Sequence, residues 1–187
     1  MKNMDFVQDA SHSRMYEYGS DWTPVLFSCV NGGYNVYHKD HNFSKQGNGG
    51  YAEKVVGMVL AVEDGKQVEF LPENERDKEH PDLQFDGQTW DIKYINEANC
   101  ETIRKYIKRS RKADNVIFYW SPGFNKLDVL KEATARSLGR AAKTGSAIPG
   151  IYYMYNFTRL KPLYVNEIGA ASKKGSDLGA EGVGREA

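Results

Sequence analysis

The chain has 187 residues, with 25 basic and 25 acidic side chains, so its formal net charge is zero. This length is sufficient for one domain with a sizeable core. The neutral total argues against a uniformly basic nucleic-acid binder, so such a function needs a local concentration of positive charge. Two cysteines, Cys29 and Cys100, are too few for a disulfide framework and lack the spacing of zinc ligands.

Hydropathy gives an expectation about location. No apolar run approaches the ~18 residues that a membrane helix requires. Residues 1–10 also lack the apolar stretch of a secretory signal. We therefore expect a soluble protein that acts in the cytoplasm and that needs a carrier or larger machinery if it is exported.

The first part of the chain is rich in Tyr and Gly and contains several turn signals. We interpret residues 1–50 as a partly irregular N-terminal extension, with short strands near 25–30 and 34–37. The main domain is predicted to cover residues 51–165.

The main domain begins with a helical pattern. Apolar residues at helical spacing predict a helix over 51–62, and a strand at 67–71 follows. Two strands over 82–86 and 88–95 are predicted to form a hairpin. Asn96 is then predicted to cap a helix that ends near Lys112.

The last elements alternate between strand and helix. A strand is predicted over 115–120, because the residues after Asn115 are continuously apolar or aromatic, which is typical of a strand in the middle of a sheet. A helix over 126–142 and strands over 148–157 and 160–165 are predicted next. Residues 166–187 are rich in Gly, Ala, Ser and charge, which predicts a disordered tail.

The hairpin carries the strongest chemical signal. Asp86-Gly87 between two alternating runs is typical of a two-residue turn. In that register Asp82 faces Asp91, and Lys93 lies one strand period further along the same face. The opposite face is apolar and consists of Leu83, Phe85, Trp90 and Ile92. Opposed like charges destabilise a strand pair, so a divalent cation near Asp82 and Asp91 would compensate them.

The predicted order from residue 51 is helix, strand, strand, strand, helix, strand. This order, with Pro81-Asp82 and Asp91-Ile92-Lys93 on adjacent strands, resembles the PD-(D/E)xK nuclease superfamily. The more specific resemblance is to the C-terminal nuclease domains of contact-dependent inhibition and other polymorphic toxins, and to related phage or mobile-element proteins. It covers about residues 50–120. It implies an α/β fold with a restriction-endonuclease-like αβββαβ core and a mixed central sheet flanked by helices.

The resemblance also implies roles for individual residues. Asp82 and Asp91 would be ligands of Mg²⁺ or Mn²⁺, and Lys93 would be the catalytic lysine. Glu53, on the first helix, matches the acidic residue that often completes the site as a further catalytic residue and metal ligand. An acidic residue in a first helical turn is equally well explained by the helix dipole, so both interpretations of Glu53 stay open.

The helix after the hairpin is strongly basic. It has six positive charges within nine residues, namely Arg104, Lys105, Lys108, Arg109, Arg111 and Lys112. We predict that they bind the backbone of a nucleic-acid substrate, DNA or RNA, tRNA included. A solvated helix face is the competing explanation. The more widely spaced cations that follow, including Arg140, are interpreted as a solvated face, and His38 and His41 as surface residues.

The sequence thus predicts a metal-dependent endonuclease that hydrolyses phosphodiester bonds, as a bacterial toxin domain or mobile-element protein. A cognate immunity protein is a further expected partner. Two alternatives stay open. One is a metal-independent ribonuclease toxin of the barnase or colicin-D type, and the other is a non-catalytic phage or conjugative-element protein on a nuclease scaffold.

Overall fold

A computed structural model of the chain describes residues 12–43, 48–73, 80–96, 99–120 and 126–165. Within these ranges eight strands form one mixed sheet, and helices pack on both of its faces. The predicted mixed α/β class, with a central sheet flanked by helices, is confirmed. Among the same residues, every helix is too short or too polar to cross a membrane.

The strands are short and the helices are of ordinary length. The strands are β1 (Trp22–Phe27), β2 (Tyr34–His38), β3 (Gln67–Phe70), β4 (Leu83–Phe85), β5 (Gln88–Tyr94), β6 (Asn115–Trp120), β7 (Gly150–Tyr155) and β8 (Lys161–Tyr164). The longer helices of the described ranges are α1 (Asn48–Val62), α2 (Cys100–Arg109) and α3 (Leu127–Thr144). A 3-10 turn at Ser110–Lys112 continues α2.

The strands lie in the sheet in chain order, from β1 to β8. The pairs β2–β3, β5–β6 and β6–β7 are parallel, and the other pairs are antiparallel. Each parallel pair is joined through a helix, because parallel neighbours need a crossover connection. From α1 to β6 the elements follow the predicted order of helix, three strands, helix and strand. β1 and β2, within the predicted N-terminal extension, continue the same sheet.

Strand β6 shows how the sheet separates two cores. All six of its residues are buried, as its continuous apolar sequence predicts. Ile117 and Tyr119 pack in the core beneath α1, whereas Val116, Phe118 and Trp120 pack beneath α2 and α3. The molecule therefore has three layers, with the sheet between helices.

The hairpin has the predicted turn. Asp86 and Gly87 both have positive φ, 52° and 69°, as a two-residue turn of this kind requires. Leu83 pairs with Trp90, as expected from that turn. One step further the pairing shifts, because the amide of Asp82 donates to the carbonyl of Trp90 at 2.9 Å. The predicted direct pairing of Asp82 with Asp91 is therefore wrong by one residue.

The boundaries of the later elements differ in detail from the prediction. The cap of α2 is Asn99 and not Asn96, since the Asn99 side chain accepts hydrogen bonds from the amides of Glu101 and Thr102. The last two strands are shorter than predicted at both ends. The predicted disordered tail, 166–187, lies outside the described residues.

Two helical glycines test how closely α1 packs on the sheet. A Cβ added at Gly57 would lie 2.4 Å from Cζ of Phe70 on β3, whereas a Cβ at Gly139 on α3 would meet no atom within 4 Å. We expect Gly57→Ala to lower the free energy of unfolding by about 1–3 kcal/mol through overpacking. Gly139→Ala should raise it by about 0.5–1 kcal/mol, because alanine favours the helix. Urea unfolding of both variants measures this, and equal effects would contradict the close approach.

Candidate functional site

Asp82 lies immediately before β4, and hydrogen bonds from both sides fix its position. Its carbonyl accepts from the amide of Leu71, beyond the end of β3, at 3.0 Å. Its Oδ2 accepts from the amide of Ile92 on β5 at 2.5 Å. The carboxylate is therefore held against the backbone of β5, beside Asp91.

Asp91 is buried in the middle of β5, with 5 % of its surface exposed. Its Oδ1 accepts a hydrogen bond from Nζ of Lys93, and its Oδ2 accepts one from the hydroxyl of Ser110. Ser110 begins the 3-10 turn after α2 and is itself buried. Ser110 was not predictable from the sequence, because a serine within a basic run is ordinarily a solvated polar residue.

The electrostatics of the pair are unfavourable to two negative charges. Burial raises the pKa of Asp82 well above its usual value, and the charge of Asp91 raises it further. Lys93 opposes this rise, whereas the charge of Glu53 adds to it. For Lys93, burial lowers the pKa, but the charges of Asp91 and Asp82 outweigh burial and raise it overall. Lys93 is therefore a cation at neutral pH that only partly compensates the carboxylates.

Glu53 lies in α1 with 1 % of its surface exposed. Its Oε2 is 3.1 Å from Nε2 of His41, and both side chains are almost completely buried. Nδ1 of His41 donates to the carbonyl of Leu71 at 2.7 Å, since a carbonyl can only accept. The interpretation of His41 as a surface residue is thus wrong. A histidine next to charged residues in a loop gives no sequence signal that its partner is twelve positions away.

Leu71 connects Glu53 with Asp82. Its carbonyl accepts from His41, which contacts Glu53, and its amide donates to the carbonyl of Asp82. The structure therefore brings all four predicted site residues into one electrostatic unit, in which Glu53 acts on Asp82 through its charge. His41 and Ser110 are added to this unit by the structure.

The oxygen atoms of Asp82 and Asp91 are candidate ligands for a divalent cation. Magnesium and manganese prefer carboxylate and carbonyl oxygens, and the uncompensated Asp82–Asp91 pair offers such oxygens. However, the described residues contain no group of three His, Cys, Asp or Glu side chains that could hold a metal ion. Glu53 is bonded to His41 instead. Asp82 and Asp91 thus offer oxygens of the kind that such an ion prefers, whereas Glu53 is not arranged with them as a third ligand.

The predicted basic residues lie on α2 and its 3-10 turn. Ile103 and Ile107 pack inward, as expected, with 0 % and 1 % of their surfaces exposed. None of the six cations is buried in that core. Arg104 is partly buried, and the exposed cations are Lys105, Lys108, Arg109, Arg111 and Lys112. The exposed positions leave both nucleic-acid binding and a solvated face open.

Comparison with known proteins gives no relative. No protein-family model matches the chain, and neither does any curated protein or solved structure.

The buried His41–Glu53 contact makes a prediction about stability. His41→Leu leaves Glu53 buried without its partner, so we expect the free energy of unfolding to fall by about 3–5 kcal/mol. The His41→Leu/Glu53→Leu double variant should lose less than the sum of the single losses. His38→Leu, which removes a contact to the exposed Asp40, should cost less than about 1 kcal/mol. Strict additivity in urea unfolding would count against the contact.

The raised pKa of Asp82 predicts a pH-dependent stability. A carboxyl whose pKa is higher in the folded protein stabilises the fold below its unfolded pKa of about 3.9 and loses that contribution as the pH rises through the folded pKa. Asp82→Asn cannot ionise. Its stability relative to wild type should therefore grow with pH, by about 1.4 kcal/mol for each unit separating the two pKa values.

Urea unfolding at a series of pH values checks this prediction, with Asp128→Asn, at an exposed position of α3, as control. The control should follow the wild-type pH profile. Added Mn²⁺ should raise the stability of wild type at neutral pH and not that of Asp82→Asn. Parallel profiles for Asp82→Asn and wild type would show that Asp82 is not under electrostatic stress.

Proposed function

We propose that this protein is a divalent-metal-dependent nuclease that hydrolyses phosphodiester bonds of DNA or RNA on a restriction-endonuclease-like core. The observation that carries the proposal is the Asp82–Asp91 pair, with Lys93 on Asp91 and the charge of Glu53 within reach. Two neighbouring carboxylates at the centre of a sheet, with a lysine one strand period further along, are explained better by cation-assisted phosphodiester chemistry than by a solvated sheet face.

The topology supports the same proposal. Between α1 and β6, β3–β4 and β4–β5 are antiparallel and β5–β6 is parallel. Glu53 lies on α1, Asp91 lies on β5 and Asp82 directly precedes β4, and this arrangement supports the proposal. By the same resemblance, we propose a role as a bacterial toxin domain or mobile-element protein, with an immunity protein as a possible partner.

The residues of the site have distinct tasks in this proposal. Asp82 and Asp91 would hold Mg²⁺ or Mn²⁺, and the charge of Glu53 acts on Asp82 from α1. When bound, the ion supplies an activated water and stabilises negative charge at the phosphate. Hydrolysis joins the water oxygen to phosphorus and breaks one phosphorus–oxygen ester bond.

Lys93 is more accessible to solvent than Asp91, its partner in the ion pair. Its side chain is 24 % exposed, whereas that of Asp91 is 7 % exposed. Its pKa is raised, so its ammonium group stays positive and can stabilise the growing negative charge around phosphorus. Ser110 keeps Asp91 in position by donating to Oδ2.

The proposal predicts the result of a cleavage assay. Plasmid DNA, total RNA and tRNA are incubated with the protein in Mg²⁺, Mn²⁺ or EDTA. We expect cleavage in the presence of metal only, and a loss of at least about a hundredfold in Asp91→Asn and Lys93→Met, because each removes a charge at the reacting centre. Lys66→Met removes a lysine that pairs with exposed Asp86 at the hairpin turn, and it should cleave like wild type.

The outcomes separate the alternatives. Cleavage of RNA that persists in EDTA would favour a metal-independent ribonuclease. Absence of cleavage under every condition, in a folded protein, would favour a non-catalytic protein on this scaffold. Equal cleavage by wild type and Asp91→Asn would move the active site away from the hairpin.

A further inference from the structure

A groove of about 390 Å³ lies between α2 and α3. Its lining includes five cations, Arg104, Lys105, Lys108, Arg111 and Arg140, and one carboxylate, Glu101. Ile107 and Ile148 also border the groove, but they are buried, with 1 % and 5 % of their surfaces exposed. The accessible side chains of the groove are therefore mainly cationic, which suits phosphate groups.

Within the described ranges, carboxylates neutralise only part of the positive charge of the groove. Among the residues that the structure describes, Lys105, Lys108, Arg111 and Arg140 have no carboxylate within ion-pair distance. Glu101 lies 2.6 Å from Arg104 and 3.8 Å from Arg136, so its charge is already shared between two guanidinium groups. In a chain with zero net charge, this groove concentrates positive potential.

Arg104 gives a second indication of a missing acceptor. Its side chain is partly buried, and its Nε has no hydrogen-bond partner among the described residues. A buried donor without a partner is unfavourable. Arg104 would gain an acceptor for this donor if its side chain turned toward a phosphate oxygen in the groove.

The spacing of the cations suits a phosphate backbone. Arg104, Lys108 and Arg111 follow one another at i, i+4 and i+7, so they form a row along one side of α2 and its 3-10 turn. At about 1.5 Å per residue the row is ~10 Å long, which is enough for contacts to more than one phosphate of a strand. Arg140, on α3, faces this row from the other wall of the groove.

One residue links the lining of the groove to the candidate site. Arg111 directly follows Ser110, whose hydroxyl donates to Oδ2 of Asp91. A strand bound along the row from Arg104 to Arg111 would therefore have one end beside the turn that holds Asp91.

We propose that this groove binds the sugar–phosphate backbone of the nucleic-acid substrate, an inference that rests on the proposed function. It refines the expectation from the sequence in two ways. Arg140, interpreted there as part of a solvated face, belongs to the binding surface. Arg109 and Lys112, grouped there with the binding residues, do not line the groove.

Binding without cleavage tests the groove. Short fluorescein-labelled DNA and RNA oligonucleotides are titrated with the full chain in EDTA, and fluorescence anisotropy is measured at several KCl concentrations. We expect Arg111→Gln/Arg140→Gln to weaken binding by about tenfold or more and to reduce the slope of log K against log [KCl] by about two, since each lost phosphate contact removes ~0.9.

The matched control is Arg109→Gln/Lys143→Gln. It removes the same charge from exposed positions of the same two helices, outside the groove, and should bind within about twofold of wild type. All four substituted residues are exposed, and circular dichroism confirms folding of each variant. Equal weakening by both double variants would overturn the groove in favour of diffuse attraction.

Two other results would also overturn the inference. One is wild-type protein that binds neither oligonucleotide at low salt. The other is poly-glutamate that binds as tightly as nucleic acid, because the groove would then serve an acidic protein. Failure of the proposed function looks different: binding in EDTA is normal and depends on Arg111 and Arg140, but no metal ion produces cleavage.

Discussion

Two neighbouring carboxylates, Asp82 just before β4 and Asp91 on β5, repel each other, and the surrounding structure has to offset that repulsion. Asp82 and Asp91 repel each other in a place where water is largely excluded, and such repulsion grows as the local dielectric falls. Lys93, the Ser110 hydroxyl and the Ile92 amide each donate to one of these carboxylates. These hydrogen bonds do not fully offset the repulsion between the two carboxylates, since the pKa of Asp82 is still raised. A fold that retains this arrangement sacrifices stability at its centre, which is typical of functional sites.

The support for the pair comes from both faces of the sheet. On one side α1 provides Glu53, which reaches the region of Asp82 with His41 and Leu71 as intermediates. On the other side α2 ends at Ser110, which contacts Asp91. Because the two helices pack in different cores, the surroundings of the two carboxylates depend on the positions of both helical layers. A shift of either helix relative to the sheet would change the hydrogen bonds of one carboxylate.

The fold was predictable where the signal is local. Five successive apolar or aromatic residues, 116–120, identify β6, and Asp86-Gly87 identifies the hairpin because few other residues accept positive φ at both positions. Proximity of Asp82, Asp91 and Lys93 followed from that hairpin. Non-local contacts were not accessible: His41 meets Glu53 only because α1 folds back onto β3, and Asn96 and Asn99 are both reasonable caps until the helix position is known. The shift in pairing at Asp82 is likewise non-local, since the Asp82 carbonyl accepts from the amide of Leu71, which directly follows β3.

The chain-order arrangement of the sheet has a consequence for synthesis. Each strand is paired with the strand that leaves the ribosome next, so pairing requires little long-range search. His41, Glu53, Asp82, Asp91, Lys93 and Ser110 all precede β6, and the last wall of the cationic groove, α3, is made afterwards. A nascent chain can therefore assemble the carboxylate site before it has a complete surface on which to hold a polyanion.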